Sequence, residues 1–272
     1  MNEAGANGLE AVIVDLAGTV VDFGSQAPIQ GFQELFERAG VSLSEAQIRA
    51  PMGAEKREHI AVLCQLPEVQ NLWQVRYQRA PNERDIDRLY KEFLPLQIAA
   101  VAERSQLIEG TAALAQWTRS HSVSLGANTG YARDMILSLL PRMAEQGFSP
   151  ESVVCAPEVS RGRPYPYMSL RNAEELGVKR LAHCVKVDDT LPGVQEGLNA
   201  GMWSVAVALS GNAVGLNETV WDALSDVEKS QHRAGAHRYF SRSGAHYVID
   251  SVASIIPVLK EIAERVARGE KP

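Results

Sequence analysis

Four short apolar segments, each followed by polar or glycine-rich residues, stand out along the chain: residues 11–14, 123–126, 184–187 and 204–208. This pattern predicts buried β-strands that end in loops. Helical periodicity lies between the last three segments, for example at residues 134–145 and 169–176. Alternation of strands and helices predicts an α/β fold with a parallel sheet and crossover helices. Because such sheets bind ligands beyond the carboxyl ends of their strands, the functional site is expected there.

The long stretch between the first two strands has helical periodicity and no strand pattern. Four of its five prolines lie outside the helices, which are predicted at residues 29–39, 44–49, 56–63 and 83–104. The simplest interpretation is a helical cap domain at residues 25–104, inserted into an α/β core formed by residues 1–24 and 105–272. Such a cap would lie above the strand ends and exclude water on closing. The alternative is a helical layer within one continuous domain.

Composition narrows the class of protein. The 272 residues carry a net charge of −6, with 22% charged side chains and no basic run, which disfavours nucleic acid and anionic membranes as partners. Three scattered cysteines lack metal-ligand spacing and suit a reducing compartment. The sequence contains no signal-like N-terminus and no apolar stretch of about 18 residues, so a cytoplasmic protein is expected.

An aspartate at the end of the first predicted strand is the first candidate for chemistry. Asp15 follows the apolar run 12–14 and precedes Gly18 and Thr19. Glycine permits close approach of the backbone, and the loop amides and the Thr19 hydroxyl can hold a phosphate. The other interpretation is that Asp15 is an ordinary turn or capping residue.

Further phosphate-binding candidates follow two later loops. Thr129 ends the second predicted strand and offers a hydroxyl and amides to phosphate oxygens, although it could instead cap the next helix. Arg163, between Gly162 and Pro164, would neutralise a carboxylate and a phosphoryl group. Arg161 is the competing candidate, and either arginine taken alone could be a surface residue.

Adjacent carboxylates, Asp188 and Asp189, follow the third predicted strand. Together with Asp15 they would form an oxygen-rich site for a hard cation, for which Mg²⁺ is the candidate. Such a cation would screen the repulsion between an anionic nucleophile and an anionic phosphorus centre. The alternative is a solvated Asp-Asp turn.

A lysine in the predicted cap has unusual neighbours. Met52, Lys56 and His59 would share one helix face if the helix included all three. Partial desolvation lowers the pKa of a lysine, and the neutral amine can attack an aldehyde to form an imine. A surface lysine is the alternative interpretation.

The segment from Asp15 to Thr19 resembles the haloacid dehalogenase superfamily of phosphotransferases, whose pattern is Asp-x-Asp-Gly-Thr. The resemblance implies a Rossmann-like core in which the first Asp attacks phosphorus and the second protonates the leaving oxygen. Here Ala17 replaces that second Asp, so the leaving group should not be an ordinary alkoxide. Cleavage of a carbon–phosphorus bond would release a carbanion instead, and an imine on Lys56 could accept its electrons.

The whole pattern resembles the phosphonoacetaldehyde hydrolase family, capped members of that superfamily, over nearly the full length. The matching segments are Asp15-Leu16-Ala17-Gly18-Thr19, Pro51-Met52-Gly53 with Lys56 and His59, Thr129-Gly130-Tyr131, Gly162-Arg163-Pro164-Tyr165-Pro166, Asp188-Asp189-Thr190 and Asn199-Ala200-Gly201-Met202-Trp203. This resemblance implies hydrolysis of phosphonoacetaldehyde to acetaldehyde and phosphate, with a lysine Schiff base and an aspartyl-phosphate. It also implies a small-molecule phosphonate substrate and a homodimer formed through the cap.

The resemblance implies a role for each candidate residue. Asp15 would be the nucleophile and Lys56 the Schiff-base lysine. Mg²⁺ would be held by Asp15, the Ala17 carbonyl and Asp189. The substrate-binding residues would be Thr129, Arg163, Met52, His59, Tyr131 and Gly18.

Two departures from the pattern and three rival functions stay open. Many superfamily members have a carboxylate at the position of Gly193, and Asp188 would compensate, so which of Asp188 and Asp189 meets the metal is undecided. Ser25 replaces a cysteine of some relatives and receives no catalytic role. The rivals are a phosphate-ester phosphatase or phosphomutase of the same fold, a non-catalytic relative, and an imine-forming aldolase.

Overall fold

The computed structural model describes residues 8–272, which form a six-stranded sheet flanked by helices. All neighbouring strands are parallel, in the order β3-β2-β1-β4-β5-β6. Their bounds are β1 Ala11–Val14, β2 Ser124–Thr129, β3 Ser152–Cys155, β4 Cys184–Asp188, β5 Trp203–Val207 and β6 Tyr247–Ile249. The α/β fold with a parallel sheet is therefore confirmed.

The central strand β1 explains why the sheet is buried on both faces. Val12 and Val14 belong to the main core, whereas Ala11 and Ile13 pack into a second cluster on the opposite face. Side chains that alternate between two covered faces give a continuous apolar strand, which is typical of parallel sheets. Val14 pairs in register with residues 127 and 187, so β1, β2 and β4 reach one edge of the sheet together.

Helices connect the strands and fill the region after β1. Five lie between β1 and residue 104: α1 Gln26–Ala39, α2 Glu45–Arg49, α3 Lys56–Leu63, α4 Pro67–Tyr77 and α5 Glu83–Glu103. The remaining ones are α6 Thr111–Ser120, α7 Arg133–Ile136, α8 Leu139–Glu145, α9 Tyr167–Glu175, α10 Leu191–Asn199, α11 Glu218–Ala223, α12 Asp226–Phe240 and α13 Ile255–Ala267. No helix within residues 8–272 is long and apolar enough to cross a membrane.

The five helices α1–α5 have their own packing. α1 lies along α5, and the rings of Phe32 and Phe93 stack between them at 4.4 Å. The two segments that connect these helices to the sheet run side by side, because Val21 forms a bridge with Leu107 and the Asp22 amide donates to the carbonyl oxygen of Gln106 at 3.3 Å. The chain therefore leaves and re-enters the sheet region at one place.

The structure corrects several predicted elements. The strands β3 and β6 and the helix α4 were not predicted, and the helix predicted at residues 134–145 is broken at residues 137–138 into α7 and α8. The helix α3 begins at Lys56, so Met52 lies in the preceding turn and does not share a helix face with Lys56 and His59. The segment of residues 25–104 is helical, as expected, with turns between its helices.

Candidate active site

Three strands deliver polar residues to the same edge of the sheet. Asp15 directly follows β1, Thr129 is the last residue of β2, and Asp188 ends β4 with Asp189 after it. The Asp15 amide donates to the carbonyl oxygen of Val187 at 2.9 Å, which extends the pairing of β1 and β4 to this edge. The predicted convergence of these residues at the strand ends is therefore present.

Three buried carboxylates form a cluster at this edge. One oxygen each from Asp15, Asp188 and Asp189 lies within 4.8 Å of the others. Burial raises the pKa of Asp15, and burial together with the charges of Asp15 and Asp188 raises the pKa of Asp189 well above its usual value. Although burial also opposes ionisation of Asp188, Arg163 and Lys186 hold the pKa of that carboxyl below its usual range.

Asp188 is saturated by protein donors. Its Oδ2 accepts from Lys186 Nζ at 2.7 Å, and its Oδ1 accepts from the Thr190 hydroxyl at 2.7 Å and the Thr190 amide at 3.0 Å. A Cβ at Gly193 would lie 1.9 Å from the Asp188 carboxyl carbon. The Asp188 carboxylate therefore occupies the space next to position 193, and any side chain there would displace it.

Asp189 is held by fewer donors and faces Asp15. It accepts from the Thr19 hydroxyl at 3.2 Å and from the Asn212 amide at 2.7 Å. Gly18 has φ +86°, and a Cβ there would lie 2.4 Å from Asp189 Oδ2, so this turn requires glycine. Two close, buried carboxylates with unfavourable charge fit a hard divalent cation such as Mg²⁺, since oxygen ligands are what that ion prefers.

Arg163 lies at the centre of the charged groups. Its Nη2 donates to Asp15 Oδ1 at 2.7 Å and to Asn128 Oδ1 at 2.7 Å, and its Nε donates to Glu196 Oε2 at 3.0 Å. Only 4% of Arg163 is exposed, whereas Arg161 lies at the surface and donates to the Tyr165 hydroxyl. Of the two competing arginines, Arg163 is the one that contacts the carboxylates.

Lys56 faces the carboxylates from the helical side. It is the first residue of α3 and is 4% exposed, with Nζ 5.2 Å from the ring centre of Tyr131 and 5.7 Å from that of Phe32. Burial lowers its pKa to about 8, while the charge of Asp15 acts in the opposite direction. A lysine with this pKa has a substantial neutral fraction near neutral pH, which a nucleophilic amine requires.

Met52 and His59 have different relations to Lys56. Met52 is buried and borders the same cavity as Lys56. His59 does not border that cavity: its Nε2 is 2.9 Å from the carbonyl oxygen of Ile48, so Nε2 carries the proton, and its ring lies 4.0 Å from that of Phe32. Burial and then the charge of Lys56 hold the pKa of His59 well below its usual value. His59 therefore packs as a neutral ring near Lys56.

These groups border a small cavity of about 20 Å³, enough for roughly one water molecule. Its lining residues are Asp15, Ala17, Ser25, Pro28, Met52, Gly53, Lys56, Thr129, Gly130, Tyr131, Arg163, Asp189 and Thr190. Ala17 is in this lining. Of the predicted site residues, His59 and Gly18 lie outside it, and the others border it.

Some lining residues were not predicted to take part. Ser25 and Pro28 begin the helical segment, and Gly53 and Thr190 bring that segment against the strand ends. A Cβ at Gly53 would lie 2.5 Å from the Thr190 hydroxyl oxygen, and Gly53 has φ +95°. The glycine in the Pro51-Met52-Gly53 turn was the available signal for this close approach.

Comparisons with known proteins agree with this geometry. Residues 9–201 match the family model of haloacid dehalogenase-like hydrolases. The β-phosphoglucomutase of Clostridium difficile has the same fold, with a TM-score of 0.67 at 17% identity over 96% of this chain and 99% of that one. The fold and the carboxylate cluster at the strand ends thus define a haloacid dehalogenase-like hydrolase.

Relatives with higher identity specify the family further. The phosphonoacetaldehyde hydrolases of Hahella chejuensis and Paraburkholderia phytofirmans are each 47% identical to this chain over 97% of its length, covering 90% and 99% of those proteins. The crystal structure of a phosphonoacetaldehyde hydrolase like protein from Oleispira antarctica has a TM-score of 0.95 at 46% identity, covering 100% of this chain and 99% of that one. The chain belongs to the phosphonoacetaldehyde hydrolase family.

Proposed function

We propose that this protein hydrolyses the carbon–phosphorus bond of phosphonoacetaldehyde to acetaldehyde and phosphate. One observation carries the proposal: a buried lysine with a lowered pKa borders the same cavity as Asp15, and Ala17 stands where a phosphatase would need an acid. The relatives at 47% identity bear this enzyme's name. A phosphate-ester phosphatase is disfavoured because the methyl group of Ala17 cannot donate a proton to a leaving oxygen.

The first half of the proposed reaction takes place at Lys56. Its neutral amine attacks the aldehyde carbon of the substrate, and loss of water gives a protonated imine. Met52 and Tyr131, which border the cavity beside Lys56, shape this pocket. His59, whose Nε2 donates to the carbonyl oxygen of Ile48, is a neutral neighbour of the lysine and adds no positive charge beside it.

The second half takes place at phosphorus. The Asp15 carboxylate attacks phosphorus, and the electron pair of the carbon–phosphorus bond moves into the protonated imine to give an enamine and an aspartyl-phosphate. Protonation of the enamine carbon and hydrolysis of the imine release acetaldehyde, and water releases phosphate from Asp15. Arg163 and Thr129 would hold the phosphoryl oxygens, and the Gly18 turn would keep Asp189 in place.

The cation in this proposal is Mg²⁺, which would be held by Asp15, the Ala17 carbonyl and Asp189. When bound, it neutralises charge on the nucleophile and the phosphoryl group. Asp188 acts outside this set, because three hydrogen bonds from Lys186 and Thr190 and an ion pair with the Arg163 guanidinium at 3.1 Å already occupy its oxygens.

We further propose that residues 25–104 form a cap domain on an α/β core of residues 1–24 and 105–272, of which residues 1–7 lie outside the part of the chain that the structure describes. The side-by-side linkers and the contact of Gly53 with Thr190 support this division. The cavity holds about one water, and separation of cap and core would make room for the substrate. Exposed Val62 and Val75 on α3 and α4 support a homodimer through the cap, which sedimentation analysis tests.

The free, buried cysteines support a cytoplasmic location.

The test is release of both products from phosphonoacetaldehyde with Mg²⁺ and with excess EDTA. We expect equimolar acetaldehyde and phosphate, abolished by EDTA and by Lys56→Arg, because arginine keeps the charge and is never a neutral amine. Lys91→Arg, at an exposed lysine on α5, is the matched control and should remain active. Efficient hydrolysis of p-nitrophenyl phosphate that survives Lys56→Arg would instead indicate a phosphatase.

A further inference from the structure

Arg163 is fixed on two of its three nitrogens. Nη2 donates to Asp15 Oδ1 and Asn128 Oδ1, each at 2.7 Å, and Nε donates to Glu196 Oε2 at 3.0 Å. Nη1 has no hydrogen-bond partner within residues 8–272, and Arg163 borders the cavity. The free edge of the guanidinium is therefore the one available to a phosphoryl oxygen.

Glu196 is a buried carboxylate that takes no part in the proposed reaction steps. It lies on α10 with 0% exposure, and its Oε1 accepts from the Ser169 amide at 2.9 Å, the Ser169 hydroxyl at 2.8 Å and Asn128 Nδ2 at 3.1 Å. Oε2 is left for Arg163 Nε. The side chain thus has a single supported orientation, and its contact with Asn128 links the two residues that hold Arg163 at Nε and at Nη2.

Glu196 and its charged neighbours carry equal numbers of formal positive and negative charges when Asp15 is left out of the count. Lys186, also fully buried, contacts Asp188 at 2.7 Å and Glu196 at 3.9 Å, and Arg163 contacts both carboxylates. Two cations and two carboxylates form a neutral group beneath the cavity. The contacts of Arg163 with Glu196 and Asp188 do not involve Asp15, so they remain available when Asp15 is phosphorylated.

We propose that Glu196, supported by Asn128 and Ser169, is a positioning residue that orients Arg163 so that Nη1 faces the phosphoryl group. Glu196 does not touch the substrate and acts only through Arg163. The inference rests on the proposed function for the identity of the anion. It predicts that Glu196 affects events at phosphorus and leaves imine formation at Lys56 unchanged.

The test is Glu196→Gln, with Glu175→Gln as the matched control. The carbonyl oxygen of the new side chain would still accept from Ser169 and Asn128, but its amide group would place a donor towards Arg163 Nε. Glu175 also pairs with an arginine, Arg171 at 2.9 Å, yet lies at the surface. For Glu196→Gln we expect binding of inorganic phosphate to the Mg²⁺-loaded protein to weaken roughly tenfold to a hundredfold, with a similar fall in kcat/KM. Glu175→Gln should match the wild type.

A second readout separates positioning from general damage. The rate at which borohydride traps acetaldehyde on Lys56 should stay within about twofold of wild type in Glu196→Gln, because that reaction involves no phosphoryl group. Phosphate binding at the wild-type level in this variant, or an equal loss of phosphate binding and imine trapping, would overturn the inference.

Two further arms keep the inference falsifiable. If Glu196→Gln does not fold, Ser169→Ala takes its place. This substitution removes one of the four hydrogen bonds to Glu196 and should weaken phosphate binding severalfold. Unchanged phosphate binding would overturn the inference. If the wild type releases no acetaldehyde, the proposed function fails. The phosphate-binding comparison then still decides whether Glu196 orients Arg163.

Discussion

The lowered pKa of Lys56 leads to a quantitative prediction. Burial takes this pKa from 10.5 to about 8. At pH 7 the neutral fraction is then about one tenth, compared with about 0.03% for an ordinary lysine, so the reactive amine is enriched roughly 300-fold. The acid limb of the kcat/KM profile for phosphonoacetaldehyde should accordingly report a group that titrates near pH 8.

Substitution of Glu55, the carboxylate next to Lys56 in the chain, should change the pKa of Lys56. Glu55 precedes Lys56, accepts from the amides of Arg57 and Glu58 at 3.0 Å, and raises the pKa of Lys56 by its charge. In Glu55→Gln this charge is lost, so the pKa of Lys56 and the acid limb should move to lower pH. The glutamine carbonyl can still cap α3, so the fold should persist.

The assay is kcat/KM from about pH 5.5 to 10 for the wild type, Glu55→Gln and the control Glu58→Gln, an exposed carboxylate three residues further on. Comparison of matched variants cancels the contributions of other titrating groups. An acid limb near the ordinary lysine value in the wild type, or a shift to higher pH in Glu55→Gln, would refute the assignment of the lowered pKa to burial of Lys56.

Three further predictions concern stability and close packing. Lys56→Met should raise the free energy of unfolding by up to about 3 kcal/mol below pH 8, and this gain should vanish as the pH rises towards 10.5. Urea unfolding measures the effect, and a variant less stable than the wild type below pH 8 would contradict the prediction. Asp22, whose pKa burial raises to about 6, contributes stability that is present below pH 3.8 and lost as the pH rises through 6. Asp22→Asn, whose oxygen can still accept from the Ala27 amide, should therefore remove about 3 kcal/mol of the pH dependence of the free energy of unfolding. A variant whose stability varies with pH as the wild type's does would contradict this prediction. Gly53→Ala should lower kcat/KM and leave the protein folded, because a Cβ there meets the Thr190 hydroxyl oxygen at 2.5 Å; wild-type activity would show that this contact is not needed.

The strands that carry the site could be predicted because they are wholly buried. Residues 11–14 and 184–188 are buried on both faces up to the carboxylates, and the predicted bounds differ by at most one residue from the observed ones. The strand β6 has three residues and only Ile249 buried, so its pattern is too short to detect. The helix α4 buries only Val69 and Trp73, which leaves no apolar stripe to read.

Some residues of the candidate site could likewise be predicted from the sequence, and others could not. Residues in local motifs at strand ends, such as Asp15 and Asp189, could be found because the motif and the strand end coincide. Glu196 was not found, because it contacts Arg163 only through the three-dimensional packing of α10. A signal did exist: Glu196 lies between Gly193 and Gly197 on the buried face of that helix, where an unpaired carboxylate would be costly.

The most direct test of the mechanism is to identify the adduct on Lys56. The protein is incubated with phosphonoacetaldehyde and Mg²⁺, reduced with borohydride, digested and analysed by mass spectrometry. The account predicts an N-ethyl group on Lys56 in the wild type, from the imine of acetaldehyde, and an N-phosphonoethyl group in Asp15→Asn, where imine formation proceeds but the carbon–phosphorus bond is not broken. Turnover of the substrate with no modification of Lys56 would contradict it.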